Sequence, residues 1–483
     1  LYHHQQQLYI LKILLTGATG YIAQRLLPEL LSGDHYVYCC VRDKGRFDLK
    51  KFDDPDIEVI EVDLLQEATL QNIPADIDIA FYLVHSMSTG TGDFEKMEAA
   101  SAENFKKRMA QTSVKQVIYL TGIVNEQHLS KHLHSRQQVE EILKTGPYNF
   151  TALRAGIIVG SGSASFEIIR DLVEKLPVMI TPRWLHTKTQ PIAIRDVVAY
   201  LKGVISLPEA FNTSFDISSG EVFTYKELLL KFASVRGLKR KIIVLPVLTP
   251  RLSSYWLYFV TSTSYQLAKN LVDSMKVEVI GKPNNLGELL HITPTPYEKA
   301  IELAFVKIEN DQVLSSWKDA LSSNILYKGL TAHLQVPKEG TFKDTRKMKV
   351  TDAEKTLDKI WRIGGSNGWY YGRWLWVTRG LMDKMVGGVG LRRGRRSPTQ
   401  LYPGQALDFW RVLIASKEDK RLLLYAEMKL PGEAWLEFFI NENNELEQTA
   451  TFRPLGLKGR LYWLAVLPFH GFIFKGMLKA LCQ

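Results

Sequence analysis

The chain has 483 residues, 46% of them hydrophobic and 23% charged, which excludes a disordered, collagen-like or low-complexity protein and predicts two or three domains. Its formal net charge of +10 suits anionic small molecules, membrane headgroups or nucleic acid without choosing among them. Three cysteines, Cys39, Cys40 and Cys482, build neither a disulfide framework nor a zinc ligand set, so no metal site is expected; with no charged-then-apolar leader at the start, a cytoplasmic protein is expected.

Apolar runs alternate with helix-period segments from Leu11 to about Phe305, the pattern of a parallel sheet with crossover helices. Strands are predicted at Lys12 to Leu15, Tyr36 to Val41, Ile57 to Val62, Ile79 to Val84, Gln116 to Leu120 and Phe150 to Arg154. Their continuous hydrophobicity suits strands covered on both faces, hence an α/β fold with a Rossmann-type doubly wound parallel sheet over residues 10–306. A connector follows at 307–343, rich in serine and closed by Pro337, Lys338, Glu339 and Gly340. In 344–483 a helix near Asp352 to Ile363 precedes a Gly/Trp/Tyr-rich stretch. Consecutive antiparallel strands are then predicted at Leu407 to Ser416, Leu422 to Leu430, Ala434 to Ile440 and Leu446 to Phe452, the last two joined through Asn441, Asn443 and Asn444. A closing apolar helix, Leu461 to Leu481, is bent by Pro468 and Gly471 and completes a smaller α+β domain. Two apolar stretches, Ile242 to Tyr265 and Leu461 to Phe474, are too interrupted or too short for the roughly 20 residues a membrane span needs.

The most specific motif is TGATGYIA, directly after one strand and directly before a helix-period run. Gly17, Gly20 and Ala23 are spaced GxxGxxA: Gly17 for a tight turn, Gly20 for close approach of a pyrophosphate, Ala23 for close helix packing. Thr16, Gly17, Ala18, Thr19, Gly20, Tyr21 and Ile22 are therefore the expected cofactor cradle, with the helix amides facing the anion. Arg42 ends the second strand where a guanidinium would pair with a 2′-phosphate, so NADP is favoured, with NAD left open by Asp43. Asp63 and Leu64 after the third strand, and Leu83, Val84, His85 and Ser86 after the fourth, stand where strand ends collect ligands; a solvating Arg42 and a structural His85 are the alternatives.

TGATGYIA, YLVHSM, LRAGIIVG and QPIAIRDV resemble the extended, atypical short-chain dehydrogenase/reductases, and within them the bacterial YbjT-like NAD(P)-binding group. WRIGG, GRWLWVTRGLMDK, DFWRV, PGEAWLEF and the segment from GLKGRLYW to PFHGFIFKGM resemble the domain this group appends, similar to START-like helix-grip domains of unknown function. The resemblance implies a hydroxyl, a tyrosine and a lysine as proton-handling residues, the last two spaced YxxxK. This chain departs from it: Thr121 holds the hydroxyl position, but the helix after the fifth strand reads His132-Leu133-His134-Ser135-Arg136. His132 and Arg136 share a helix face; a nearby guanidinium would favour neutral imidazole and suit His132 as a base. The pair either takes part in catalysis or only holds ribose and phosphate or solvates the helix. Arg154 and Gly156 border the expected nicotinamide and substrate region, and Arg183 and Trp184 wall the pocket, although an exposed Arg183 packed on Trp184 is the commoner arrangement.

Six of ten tryptophans lie between residues 361 and 435, where they either fill a core or line an apolar cavity. The basic run Leu391 to Arg396 accompanies no nucleic-acid signature, so nucleic acid is not expected; a solvated surface loop is its default reading, and contact with anionic lipid at the inner membrane is the sharper alternative. Two functions follow: an NADP-dependent oxidoreductase acting on an apolar carbonyl or quinone-like compound, with the second domain taking an apolar or lipid ligand; or a non-catalytic NAD(P)H-binding sensor, lipid- or partner-binding protein, or accessory subunit of a membrane redox complex.

Overall fold

The computed structural model describes residues 10–33, 35–44, 47, 52, 54–84, 94–124, 131–245, 275–309, 336, 341–391, 395, 397, 399–454 and 456–483. The chain divides into two compact units near Lys307.

The first unit is built on seven strands: β1 (Lys12–Leu15), β2 (Tyr36–Val41), β3 (Ile57–Glu61), β4 (Ile79–Tyr82), β5 (Gln116–Gly122), β6 (Asn149–Ala155) and β11 (Thr213–Ile217). They form one sheet in the order β11-β6-β5-β4-β1-β2-β3, every pair parallel. Alternate residues feed two cores. Ile13, Leu15, Val37, Cys39, Ile79 and Phe81 join one; Leu14, Tyr38, Cys40, Ala80 and Tyr82 join the other. A strand buried on both faces therefore reads as an unbroken apolar run. Helix α1 (Ala23–Leu31) puts Ala23, Leu26, Leu27 and Leu30 into the first core, a helical stripe that Pro28 does not break. Helices α3 (Phe94–Met109) and α4 (Lys131–Lys144) supply Ala102, Phe105, Met109, Val139 and Leu143 to the second. The chain reverses its winding between β1 and β4, the position where open α/β sheets hold ligands. β11 was not anticipated from the sequence. Beyond β6 lies a smaller lobe: β7 (Ile157–Val159) pairs β10 (Pro191–Ala193), β8 (Val178–Pro182) pairs β13 (Lys241–Leu245), and Phe166, Phe232 and Phe305 pack together from three helices. The apolar stretch after Leu245 lies outside the described residues until 275.

The second unit is an antiparallel sheet of six strands, β14 (Phe342–Lys349), β15 (Ala406–Leu407), β16 (Trp410–Ser416), β17 (Arg421–Ala426), β18 (Gly432–Ile440) and β19 (Glu445–Pro454), ordered β14-β19-β18-β17-β16-β15. Three expectations change. The strand expected from Leu407 to Ser416 is split, because Asp408 adopts φ +52° and turns the chain between β15 and β16. β14, whose exposed residues alternate with half-buried ones, starts at Phe342, inside the stretch expected as connector and loop. The closing helix, here called α12, runs over Gly456–Cys482, 27 residues with Pro468 inside it; by length and composition it is sufficient to cross a membrane, contrary to the sequence count. Helix α10 (Ala353–Trp361) is capped by the Asp352 carboxylate, which accepts from the Lys355 amide at 3.0 Å. Helix α11 (Arg373–Met385) follows the glycine-rich turn. Five of the six clustered tryptophans, at 361, 369, 376, 410 and 435, are buried, with Trp369 and Trp376 stacked at 4.9 Å, so core filling is their role; Trp374 is exposed.

Candidate functional site

The turn between β1 and α1 is held by neighbouring strands. The Thr16 hydroxyl donates to the Phe81 carbonyl at 2.9 Å and accepts from the Leu83 amide at 3.1 Å, stitching the carboxyl end of β1 to that of β4 across the point of reversal. The Ala18 amide donates to the Cys40 carbonyl at 3.3 Å on β2, and the Gly20 amide to the Gly17 carbonyl at 2.7 Å. Gly17 has φ +67°, and a Cβ there would stand 2.7 Å from the Leu83 carbonyl oxygen, so both its conformation and its space demand glycine. At Gly20 a Cβ would meet the Gly17 oxygen at 2.9 Å. The amides of Ile22 and Ala23 donate to no acceptor among the described residues. They open a nine-residue helix, so its partial positive charge and free donors face outward from the turn. A dinucleotide diphosphate fits these residues on that observation. Thr19 is half-buried within the same turn. Tyr21 offers its backbone rather than its phenol. The ring lies under the Arg25 guanidinium, 3.9 Å from its carbon, and Arg25 in turn donates to the Ser161 carbonyl at 2.6 Å. Burial pushes the Tyr21 phenol up to about 12. A Cβ on Gly160 would collide with that phenol and with Ile194, so this glycine serves internal packing.

Arg42 is exposed at the end of β2, while the neighbouring Asp43 is buried. The surrounding protein draws the Arg42 guanidinium below its ordinary range although the side chain reaches solvent, and the Asp63 carboxylate works in the opposite direction. Asp63 itself is spent locally: its carboxylate accepts from the Leu65 amide at 3.1 Å and from the Gln66 side chain at 3.3 Å. Leu64 buries its side chain in the core, and its carbonyl accepts from Asn104 at 2.9 Å. Both residues therefore shape the turn after β3. Val84 is half-buried against the second core. His85 and Ser86 lie outside the described residues.

Strand β5 is separated from β1 only by β4, and all three are parallel, so their carboxyl ends share one edge of the sheet. There Thr121 is 3% exposed, and its Oγ1 makes no hydrogen bond. It lies close enough to the Tyr119 phenol to favour that group's ionised form, but without hydrogen-bond geometry; burial dominates and pushes Tyr119 up to about 12. The Tyr119 hydroxyl donates to the Arg136 carbonyl at 3.5 Å. Arg136 on α4 has a buried Nε with no hydrogen-bond partner, and its side chain lies 3.8 Å from where a Gly122 Cβ would be. Two unpartnered polar groups thus stand where the tertiary fold brings β5 and α4 together. His132 belongs to α4, and its side chain lies outside the described residues.

Arg154 has other work. Its guanidinium grips Glu140 of α4 with two bonds, at 3.0 and 2.6 Å, and stands 3.8 Å from Asp216 of β11. Glu140 also accepts from the Ser214 hydroxyl at 2.7 Å. The hydrogen bond from Arg154 to Glu140 raises the arginine further, making this a clamp between β6, α4 and β11 rather than the substrate contact expected. Gly156 leaves room for the chain itself, since its Cβ would meet the Gln190 carbonyl at 2.6 Å. Trp184 packs edge-on to Tyr225 at 6.1 Å, with a buried indole N–H that has no partner; the Arg183 side chain is outside the described residues. Tyr119, the Arg154 clamp and the Arg25 contact were missed from sequence, because each links residues far apart in the chain.

A seven-strand parallel sheet with a glycine turn feeding a helix at its point of reversal defines a Rossmann-type fold. Residues 17–175 match the family model described as NAD(P)H-binding, and residues 337–477 match the family described as a protein of unknown function, DUF2867. No curated protein matches the chain. Among solved structures, the Citrobacter sp. triphenylmethane reductase complexed with NADP(H) is 18% identical, covering 61% of this chain and 99% of its own, with a TM-score of 0.50. The NADPH-dependent quinone oxidoreductase of Escherichia coli complexed with NADPH is 17% identical over the same shares, again with a TM-score of 0.50. At these identities the likeness establishes the fold.

Proposed function

We propose that the first unit is an NADPH-dependent oxidoreductase of the atypical short-chain dehydrogenase/reductase class, acting on an apolar carbonyl or quinone-like compound. The observation that carries this reading is the pair of buried, unpartnered groups, Thr121 Oγ1 and Arg136 Nε, on the sheet edge that also holds the glycine turn. A buried donor left without a partner costs about 1–3 kcal/mol, and a catalytic or ligand-binding role is one of the few reasons a protein keeps one. The nucleotide, when bound, supplies hydride chemistry. The chain positions it: the Ile22 and Ala23 amides hold the diphosphate, and the exposed Arg42, beside a buried Asp43, pairs with a 2′-phosphate. Thr121 orients the substrate oxygen by hydrogen bond, Arg136 holds negative charge beside it, and His132 lines the same helix face. Trp184 offers an apolar wall with one donor to the substrate.

Titration with NADPH and NADH tests the cofactor step. NADPH should bind about tenfold more tightly, and Arg42→Ala should remove most of that preference, in line with a charge-assisted pair of about 1.5–3 kcal/mol. Oxidation of bound NADPH by a short-chain naphthoquinone tests the reaction. Turnover that falls about a hundredfold in Thr121→Val, with NADPH affinity unchanged, supports the oxidoreductase. Tight NADPH binding with no turnover on any carbonyl or quinone supports the sensor instead, a reading favoured by the departure from YxxxK.

A further inference from the structure

The second unit carries an apolar surface that its fold does not use. On α11 the exposed side chains recur at helical spacing, Trp374, Val377, Leu381, Met382 and Met385. On α12 they form a stripe through Leu457, Leu461, Leu464, Pro468 and Phe472. The two faces adjoin: Tyr371, just before α11, meets Phe472 at 5.2 Å between ring centroids, and residues of both helices line a groove of about 840 Å³. Trp374 is 65% exposed and Leu457 72%. Monomeric soluble proteins rarely leave large contiguous apolar faces exposed, and such faces mark protein or membrane contact sites.

Charge identifies the partner. Helix α12 contains no Asp or Glu, and its exposed polar side chains are Lys458, Arg460, Lys475 and Lys479. Helix α11 adds exposed Arg373, and its one carboxylate, Asp383, is buried and accepts from the Gly390 and Lys429 amides at 2.8 and 2.7 Å. The rim is cationic and the centre apolar. The opposite side of α12 is committed to the domain core through Trp463, Phe474, Met477, Leu478 and Leu481, so the helix cannot cross a bilayer without leaving that core. From Leu457 to Phe472 the stripe runs about 22 Å along the helix axis, in the geometry of a helix lying in a headgroup layer. We propose that α11 and α12 form a docking face for anionic bilayers, with the apolar stripes set among the acyl chains and the basic rim on the headgroups. The basic run 391–396 has a different role where it is described: Arg395 turns inward and donates to the carbonyls of Ile363 and Trp361, both at 2.8 Å.

Flotation of the full chain with vesicles tests the face. Binding to phosphatidylcholine vesicles holding roughly one-third phosphatidylglycerol should exceed binding to pure phosphatidylcholine about tenfold and weaken with added salt. Leu381→Glu combined with Leu461→Glu, both at exposed positions, should abolish it while thermal melting and NADPH affinity stay unchanged. Leu230→Glu, at an exposed apolar position of the first unit, should bind as the parent does. Absence of binding to the anionic vesicles, equal binding to both compositions, or retained binding by the double variant would overturn the proposal. So would a parent chain that self-associates without binding vesicles and is dispersed by the double variant, which would assign the face to a second copy.

Discussion

Gly17 meets two demands at once, a left-handed φ and a carbonyl 2.7 Å from where its Cβ would be. An alanine there must move the turn, the Leu83 carbonyl, or both, and the bonds from Thr16 leave the turn little freedom. Gly17→Ala should therefore cost about 1–3 kcal/mol of stability and weaken NADPH binding at least tenfold, read by urea unfolding and nucleotide titration on the same preparation. Arg411 shows the opposite case, a charge needed for structure alone. It is fully buried, held to Glu427 by three contacts of 2.8–3.0 Å, and donates to the Gly404 carbonyl at 2.7 Å. The paired charges satisfy each other, and removing one would strand the other in the core.

At the scale of elements, the seam between α12 and β14 places a histidine among charges and rings. His470 packs edge-on to Trp463 at 5.0 Å and tilted on Phe474 at 4.7 Å. Burial lowers it to about 4; Asp344 pulls upward, while Arg346 and Arg379 push down with the burial. The folded state thus holds His470 neutral, whereas the unfolded chain protonates it near 6.5. Protonation favours the unfolded state below that value, so stability conferred at neutral pH is lost as pH falls from about 6.5 towards about 4. The loss should reach at most about 3 kcal/mol. Urea midpoints of the parent should drop between pH 7 and pH 5 by more than those of His470→Gln; parallel slopes would remove the assignment.

At the scale of the molecule, each unit has apolar cores of its own among the described residues. The turn at 16–23, Arg42, Thr121 and Arg136 all belong to the first. A fragment ending at residue 309 should therefore fold and bind NADPH within about threefold of the full chain, by the independence expected of separate domains. Loss of binding in a folded fragment would show that the second unit completes the site.

Local patterns carried much of this. A strand, a glycine turn and a helix are adjacent in the chain, so TGATGYIA announced the turn and the helix after it, and β1 and β2 kept the bounds the sequence implied. Arg154 and Arg395 show where that reading stops: a guanidinium looks the same in sequence whether it meets a ligand, Glu140 or a carbonyl of its own chain. The split at Asp408, the pairing of β14 with β19 and the Tyr119–Arg136 contact all depend on partners brought near only by folding. Sequence determined the bounds of β1 and β2 and the glycine turn that leads from β1 into α1, since backbone geometry and side-chain period are local. Tertiary structure decided which charges are spent in clamps and which apolar helix faces are left to meet another surface, because those choices are settled by burial between residues distant in the chain.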